Sequence, residues 1–151
     1  MNPASSRRAV VRSGTVLAAA AAALSLALAG CSDIADDIAD IYAITYEVST
    51  TEAADGGLTD VAYAEASRRG RPSVVQDVGR ASLAGGRDAG EGLWSAEAYV
   101  TAEDWAFVQA TPVDGEALTC RILIDGRREI ATATAAPGQP VTCQVPTPPF
   151  G

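Results

Sequence analysis

The chain contains neither histidine nor lysine, and all eleven of its basic residues are arginine. Without histidine it has no Ser-His-Asp or Cys-His nucleophile system and no imidazole base. Without lysine it has no amine for a Schiff base. With no histidine and only three cysteines, a zinc site would lack its usual ligands. No phosphate-binding loop or dinucleotide fingerprint is present. We therefore expect no catalytic residue, no metal and no cofactor.

One kind of acid–base chemistry remains, the carboxylate pair that glycosidases use. Glu103-Asp104, beside Trp105, is the best candidate among the nineteen acidic residues. The same residues fit a polar turn before a strand whose tryptophan enters the core. The turn is favoured, because the few aromatic residues of a small domain are more often core anchors than ligand contacts. The sequence thus predicts a protein that is not an enzyme.

The first thirty residues have the order of a secretory signal peptide. A basic start that ends at Arg12 precedes the apolar stretch 15–30, and Cys31 follows directly. The run Leu-Ala-Gly-Cys at 28–31 resembles the bacterial lipobox. This resemblance implies cleavage before Cys31 and a diacylglyceryl group on its thiol. The mature protein would then be held to the extracytoplasmic face of the cell membrane.

Two alternatives for this segment are weaker. An uncleaved transmembrane helix over residues 15–30 would span only ~24 Å, whereas the hydrocarbon core of a bilayer is about 30 Å thick. The arginines at positions 7 and 8 loosely resemble a twin-arginine export signal. They fit an ordinary basic signal start better, and the export route stays open.

Removal of residues 1–30 takes three arginines away, which leaves eight arginines against nineteen acidic residues and a formal net charge of −11. Phosphate backbones repel so acidic a domain, so nucleic acid is not an expected partner. Anionic headgroups repel it too, so the lipid on Cys31 must provide the attachment. Residues 31–40 are predicted as an acidic tether, since they lack the glycine and the distal glutamate of a calcium loop.

From Ile41 onward, apolar and polar residues alternate in short runs, as they do in half-buried β-strands. Eight such runs begin at Ile41, Leu58, Ser73, Leu93, Trp105, Thr119, Glu129 and Val141. The Asp-Gly pairs at 55–56, 114–115 and 125–126 are predicted to form hairpin turns. The pattern predicts an all-β, immunoglobulin-like sandwich of about seven to eight antiparallel strands with one disulfide over residues 41–146. A proline-rich tail, 147–151, follows it.

Cys120 and Cys143 are the cysteines left for the disulfide. Export places them in an oxidising compartment, and their number is even. A bond across the loop between them would stabilise the domain by about 3 kcal/mol in the chain-entropy model. Two separate buried thiols are the alternative.

The segment Gly79–Gly92 is rich in glycine, alanine and arginine and is predicted to be a long loop. It carries Arg80 and Arg87 on an otherwise acidic domain, and Trp94 follows it. These three residues are the candidate partner contacts, because the arginines suit an anionic or amphipathic partner. Pro72, before the run that starts at Ser73, suits an edge strand or the start of a strand.

Three segments together resemble one family. They are Tyr-Ala-Ile-Thr-Tyr-Glu-Val at 42–48 with Asp-Val-Ala-Tyr at 60–63, Leu-Trp-Ser at 93–95, and Cys-Arg-Ile-Leu-Ile-Asp-Gly at 120–126 with Cys143 after it. The chain is similar here to the MmpS proteins, small mycobacterial membrane proteins that are accessory partners of MmpL transporters. The resemblance implies an extracytoplasmic β-sandwich, a Cys120–Cys143 bridge, and a role in export of lipids or small hydrophobic compounds. Members of that family usually carry an uncleaved transmembrane helix where this chain has a lipobox.

Two functional hypotheses follow. The first is a lipid-anchored accessory protein or adaptor for a transporter, which should expose an apolar patch at one end and have no deep cavity. The second is a free-standing ligand-binding or cell-envelope structural lipoprotein. A ligand binder should have an apolar cavity between its sheets or at their mouth.

Overall fold

The computed structural model describes residues 40–51, 56–85 and 91–150, and the strands in these ranges confirm the predicted all-β class. Within these ranges nine strands follow one another. They are β1 (Ile41–Thr50), β2 (Gly57–Ala66), β3 (Ser73–Ser82), β4 (Ala84–Gly85), β5 (Gly92–Thr101), β6 (Trp105–Pro112), β7 (Thr119–Ile124), β8 (Arg128–Thr134) and β9 (Val141–Pro146). Eight of them match the predicted runs closely, and the extra strand is the two-residue β4.

The strands form two antiparallel sheets that pack as a sandwich. The first sheet has the order β4-β5-β1-β7-β8, and the second has the order β3-β2-β6-β9. Strand β1 lies at the centre of the first sheet, between β5 and β7. Strand β3 forms one edge of the second sheet, as the proline before it suggests.

Alternation along β1 explains why this strand is central. Ile44, Tyr46 and Val48 are 1% exposed or less, because every second residue faces the other sheet. The Tyr46 hydroxyl crosses the core and donates a hydrogen bond of 2.8 Å to the carbonyl of Ala64 on β2. Burial raises the pKa of Tyr46 well above its ordinary value. The two sheets are therefore joined by apolar packing and by a buried polar contact.

A disulfide between Cys120 and Cys143 confirms the predicted pairing over the alternative of two free thiols. It links β7 of the first sheet to β9 of the second, with the two Cα atoms 6.0 Å apart. Both cysteines are buried within the main core cluster. The bond therefore connects the two layers directly through the core.

Only one of the three Asp-Gly pairs forms a hairpin. Asp125 and Gly126 have φ values of 53° and 63°, as both central positions of a type I′ turn require, and they join β7 to β8. The pair at 114–115 lies between β6 and β7, and the pair at 55–56 lies between β1 and β2. In both cases the flanking strands belong to different sheets, so these hairpin predictions were wrong. Asp55 itself lies outside the described residues.

Candidate contact surface along β3

Strand β3 is a long edge strand, and six of its ten residues are exposed. It runs for ten residues from Ser73 to Ser82 and pairs with β2 alone. No strand within the described ranges pairs with its outer edge. Its outward-pointing backbone N–H and C=O groups are therefore available to another chain.

Three valines on β3 are exposed, which is unusual for an edge strand. Val74, Val75 and Val78 are 51%, 62% and 42% exposed. Val74 and Val75 point to opposite faces of the sheet, since successive strand residues alternate. The facing sheet ends in β4, which has only two residues, so little strand backbone is available there to cover β3. Strand β3 therefore exposes apolar side chains on both faces of its sheet.

The predicted loop Gly79–Gly92 was wrong over its first part, because β3 continues through Gly79 to Ser82. Gly79 has a φ of 75° and lies opposite Val61 at a β-bulge, where Asp60 has a φ of 53°. A glycine can take this conformation without strain, so the strand bends there instead of ending. Sequence reasoning took the glycine as a loop signal.

Arg80 follows the bend and is exposed at the end of β3. It lines a surface cleft of about 360 Å³ together with residues of β2, β3 and the end of β6. The other lining residues are Gly57, Leu58, Thr59, Ala81, Ser82 and Val113. Arg87, the second predicted contact in this region, lies outside the described residues, as does Cys31.

Trp94 is half-buried and packs against the core. It lies opposite Val48 on β1, and its ring stacks at a tilt on that of Tyr63, with the centroids 6.3 Å apart. Tyr63 in turn contacts Tyr46, at 5.6 Å between centroids. The predicted contact residue Trp94 therefore contributes to packing between the sheets.

Trp105 has the opposite placement to the one predicted. It is 52% exposed and does not enter the core. Register explains this, because Ala106 and Val108 occupy the buried positions of β6 and Trp105 falls on the alternate face. The preceding Glu103-Asp104 pair does form the predicted polar turn. Asp104 accepts backbone hydrogen bonds from Ser73 at 2.6 Å and from Trp105 at 2.8 Å.

A second cleft, of about 530 Å³, lies beside the β7–β8 turn. Its walls include three carboxylate side chains, from Glu65, Glu97 and Asp125, and the exposed ring of Tyr99. The remaining lining residues are Ala43, Ile44, Thr45, Ala98 and Gly126. These three carboxylates disfavour an anionic ligand inside this cleft.

Within the described residues no group of histidine, cysteine or acidic side chains is arranged to hold a metal ion. The same ranges contain no helix long and apolar enough to cross a membrane. Neither observation bears on the segments outside them.

Glu116 is an unusual residue that sequence reasoning missed. It lies between β6 and β7 and is only 6% exposed, and within the described part of the chain neither carboxylate oxygen has a hydrogen-bond partner. A Cβ atom on Gly56 would lie 2.8 Å from Glu116 Oε1, so the glycine makes room for this side chain. No local pattern marks Glu116, because its burial arises where connections between the two sheets meet.

Comparison of the chain with protein-family models, with curated proteins and with solved structures finds no match. The function is therefore inferred from the geometry of the described residues.

Proposed function

We propose that this chain is a lipid-anchored extracytoplasmic protein that works by contact, as an accessory protein or adaptor for a membrane transporter. The transported compounds would be lipids or small hydrophobic molecules, as the MmpS resemblance implies. The observation that carries the proposal is the open edge of β3 with its exposed valines, Val74, Val75 and Val78. The anchor on Cys31 would keep this edge close to the bilayer.

The mode of contact that suits this edge is strand addition. An extended segment of a partner would add its backbone hydrogen bonds to the free edge of β3, and the valines would bury apolar side chains from both faces. Soluble proteins normally protect such edges with central charges, proline or bulges. Here the segment 73–77 pairs with β2 in regular register and has a single charge, at Asp77, and the strand becomes irregular only at Val78 and Gly79.

The adaptor is favoured over a ligand-binding lipoprotein for two reasons. The space between the sheets is filled by a cluster of seventeen buried residues that includes Tyr46 and the disulfide. The larger cleft described above lies at the surface and not between the sheets, and its carboxylates from Glu65, Glu97 and Asp125 disfavour an anionic ligand. A contact surface is the feature that the described residues offer.

Site-specific photo-crosslinking in living cells tests the proposal. A photoreactive amino acid replaces Val75 in the full chain, and a matched variant carries it at Tyr99, which is 56% exposed and lies on β5 of the other sheet. We expect Val75 to yield an adduct with an integral membrane transporter, identified by mass spectrometry, and Tyr99 to yield none. A lysine at position 74 should abolish the adduct, because an edge charge opposes strand addition.

Three outcomes would contradict the proposal. One is the absence of any adduct from Val75 above the level seen at Tyr99. Another is an adduct only with a second copy of the chain, which would make β3 a self-association surface. The third is hydrolysis of a glycan or ester by the purified protein, which would overturn the non-catalytic assignment.

A further inference from the structure

The end of the sandwich where β1 begins is also the end nearest the tether. Ile41 pairs with Thr101 at the end of β5, and the Ala102 N–H donates a hydrogen bond of 2.9 Å to the carbonyl of Asp40. On the other side of β1, the Asp125 N–H donates to the carbonyl of Ala43 at 2.8 Å. The β5–β6 and β7–β8 turns therefore flank the point from which residues 31–39 lead back to Cys31.

The β2–β3 turn reaches the same place. The Thr101 hydroxyl donates to the carbonyl of Arg71 at 2.9 Å, and the Ser73 N–H donates to Asp104 Oδ2 at 2.6 Å. We call the end formed by Asp40 and residues 67–72, 102–104, 125–128 and 147–150 the anchor end.

Arginine is concentrated at the anchor end. Of the seven arginines in the described ranges, five lie there and all five are exposed. They are Arg68, Arg69 and Arg71 in the β2–β3 turn, and Arg127 and Arg128 at the β7–β8 turn. The described ranges as a whole are acidic, with thirteen aspartate and glutamate residues against those seven arginines.

The two ends of the sandwich differ in charge. Four acidic residues, Asp40, Glu103, Asp104 and Asp125, accompany the five arginines of the anchor end, and Glu65 and Glu97 border the cleft beside its β7–β8 turn. At the opposite end, the described connections between strands carry Glu91, Asp114 and Glu116 and no arginine. The described arginines are therefore unevenly distributed between the two ends, although the domain as a whole is acidic.

Exposed aromatic rings accompany these arginines. Trp105 directly follows the β5–β6 turn and is 52% exposed. Phe150 is 53% exposed and stacks at a tilt on Tyr42, with the ring centroids 5.0 Å apart. The buried Thr147 holds the C-terminal segment against the end of β5, because its hydroxyl donates a hydrogen bond of 2.8 Å to the carbonyl of Thr101. Aromatic rings and the aliphatic parts of arginine side chains commonly lie at the membrane–water interface.

We propose that the anchor end is a membrane-facing surface that binds the headgroups of an anionic bilayer. The arginines would contact lipid phosphates, while Trp105 and Phe150 would enter the interfacial layer. The orientation rests on the proposed lipid anchor at Cys31. Asp40 lies nine positions after Cys31, so the chain between them, even fully extended, reaches at most ~32 Å. The acidic opposite end would be repelled by the bilayer, so the charge asymmetry orients the domain.

Depth-dependent fluorescence quenching in vesicles tests this inference with the full protein. The processed protein, purified from membranes, is reconstituted into vesicles of either neutral phospholipid or three parts neutral to one part anionic phospholipid. A bromine-labelled lipid in both preparations quenches tryptophan that lies at the interface. The chain has two tryptophans, so Trp105→Phe and Trp94→Phe separate their signals.

We expect the bromine-labelled lipid in anionic vesicles to quench tryptophan fluorescence. This quenching should disappear in the Trp105→Phe variant and persist in the Trp94→Phe variant. The quenching of Trp105 should be at least twofold weaker in neutral vesicles, because they lack anionic headgroups. High salt should weaken it by a similar factor, because salt screens the attraction between the arginines and the headgroups. The variant Arg68→Gln/Arg127→Gln/Arg128→Gln should reduce it similarly. The control Arg80→Gln, at the far end of β3, should have no effect.

Two readouts separate this inference from the proposed anchor. Failure of the protein to sediment with vesicles of either kind would refute the lipid anchor. Sedimentation without quenching of Trp105 would leave the anchor standing and refute the membrane-facing end. Quenching that is equal in neutral and anionic vesicles, or unaffected by the triple arginine variant, would refute headgroup binding by these arginines.

Discussion

Removal of the disulfide is the perturbation whose effect the structure defines best. Cys120 and Cys143 are 23 residues apart in the chain and join β7 of one sheet to β9 of the other. Closing a loop of this length in the unfolded chain should stabilise the folded state by about 3 kcal/mol. Replacing both cysteines by alanine also removes two buried sulfur atoms, which adds roughly 1 kcal/mol.

This loss is large for a domain of this size. A small domain is stable by about 5–15 kcal/mol in total, so the variant should unfold at much lower urea concentration. A corresponding fall of roughly 10–20 °C in Tm is expected. The single variants, Cys120→Ala and Cys143→Ala, should each lose nearly as much as the double variant, because either one opens the loop completely.

Urea unfolding followed by tryptophan fluorescence measures these differences. All proteins should carry Cys31→Ser, so that only the pair of interest responds to reductant. Reductant should destabilise the parent and leave the double variant unchanged. A double variant within about 1 kcal/mol of the parent would refute the chain-entropy argument. Single-variant losses that add up to the double loss would refute it equally.

Three further substitutions test particular contacts by the same unfolding assay. Tyr46→Phe should cost about 1 kcal/mol, because a buried carbonyl loses its donor. Burial raises the pKa of Tyr46, so the contribution of Tyr46 to the free energy of unfolding should be complete below pH 10.0, its ordinary pKa, and should fall as the pH rises beyond that value. The phenylalanine variant should lack this pH dependence. Gly126→Ala should cost about 1 kcal/mol because its φ is +63°, whereas Gly85→Ala, with open space at the Cβ position, should cost little. Arg121→Met should cost about 1–3 kcal/mol, because the carboxylate of Glu47, whose side chain is 9% exposed, loses a cationic partner at 3.3 Å. A neutral outcome for any of the three would contradict the contact it tests.

The strands could be predicted from the sequence because period-two alternation is a local signal. The runs that begin at Ile41 and Thr119 place Tyr46, Cys120 and Ile122 on the buried face, and the structure agrees. The disulfide followed from the export context and the even number of remaining cysteines. Neither inference required knowledge of which strands lie side by side.

The connections could not be predicted in the same way. An Asp-Gly pair marks a reversal of the chain, but it does not specify whether the next strand joins the same sheet. At Asp125 the chain stays in one sheet, whereas at Asp114 it crosses to the other. Gly79 was misinterpreted for a related reason, since a glycine at a bulge and a glycine in a loop have the same local sequence signal.

Surface features depended on register and on assembly of the whole fold. Trp105 was expected in the core, but the neighbouring Ala106 takes the buried position and leaves the tryptophan outside. The concentration of arginine at the anchor end was hidden as well. Arg71 and Arg127 are far apart in the chain, and only the strand order brings their turns to one end of the sandwich.

The mass of the protein extracted from membranes tests the central claim most directly. The account predicts a chain that begins at Cys31, with the mass of residues 31–151 plus a diacylglyceryl group on that cysteine. It further predicts that Cys31→Ala leaves the protein either unprocessed or released from the membrane. A membrane form that retains residues 1–30, or one that begins at an unmodified Cys31, would contradict the lipid anchor on which the proposed function rests.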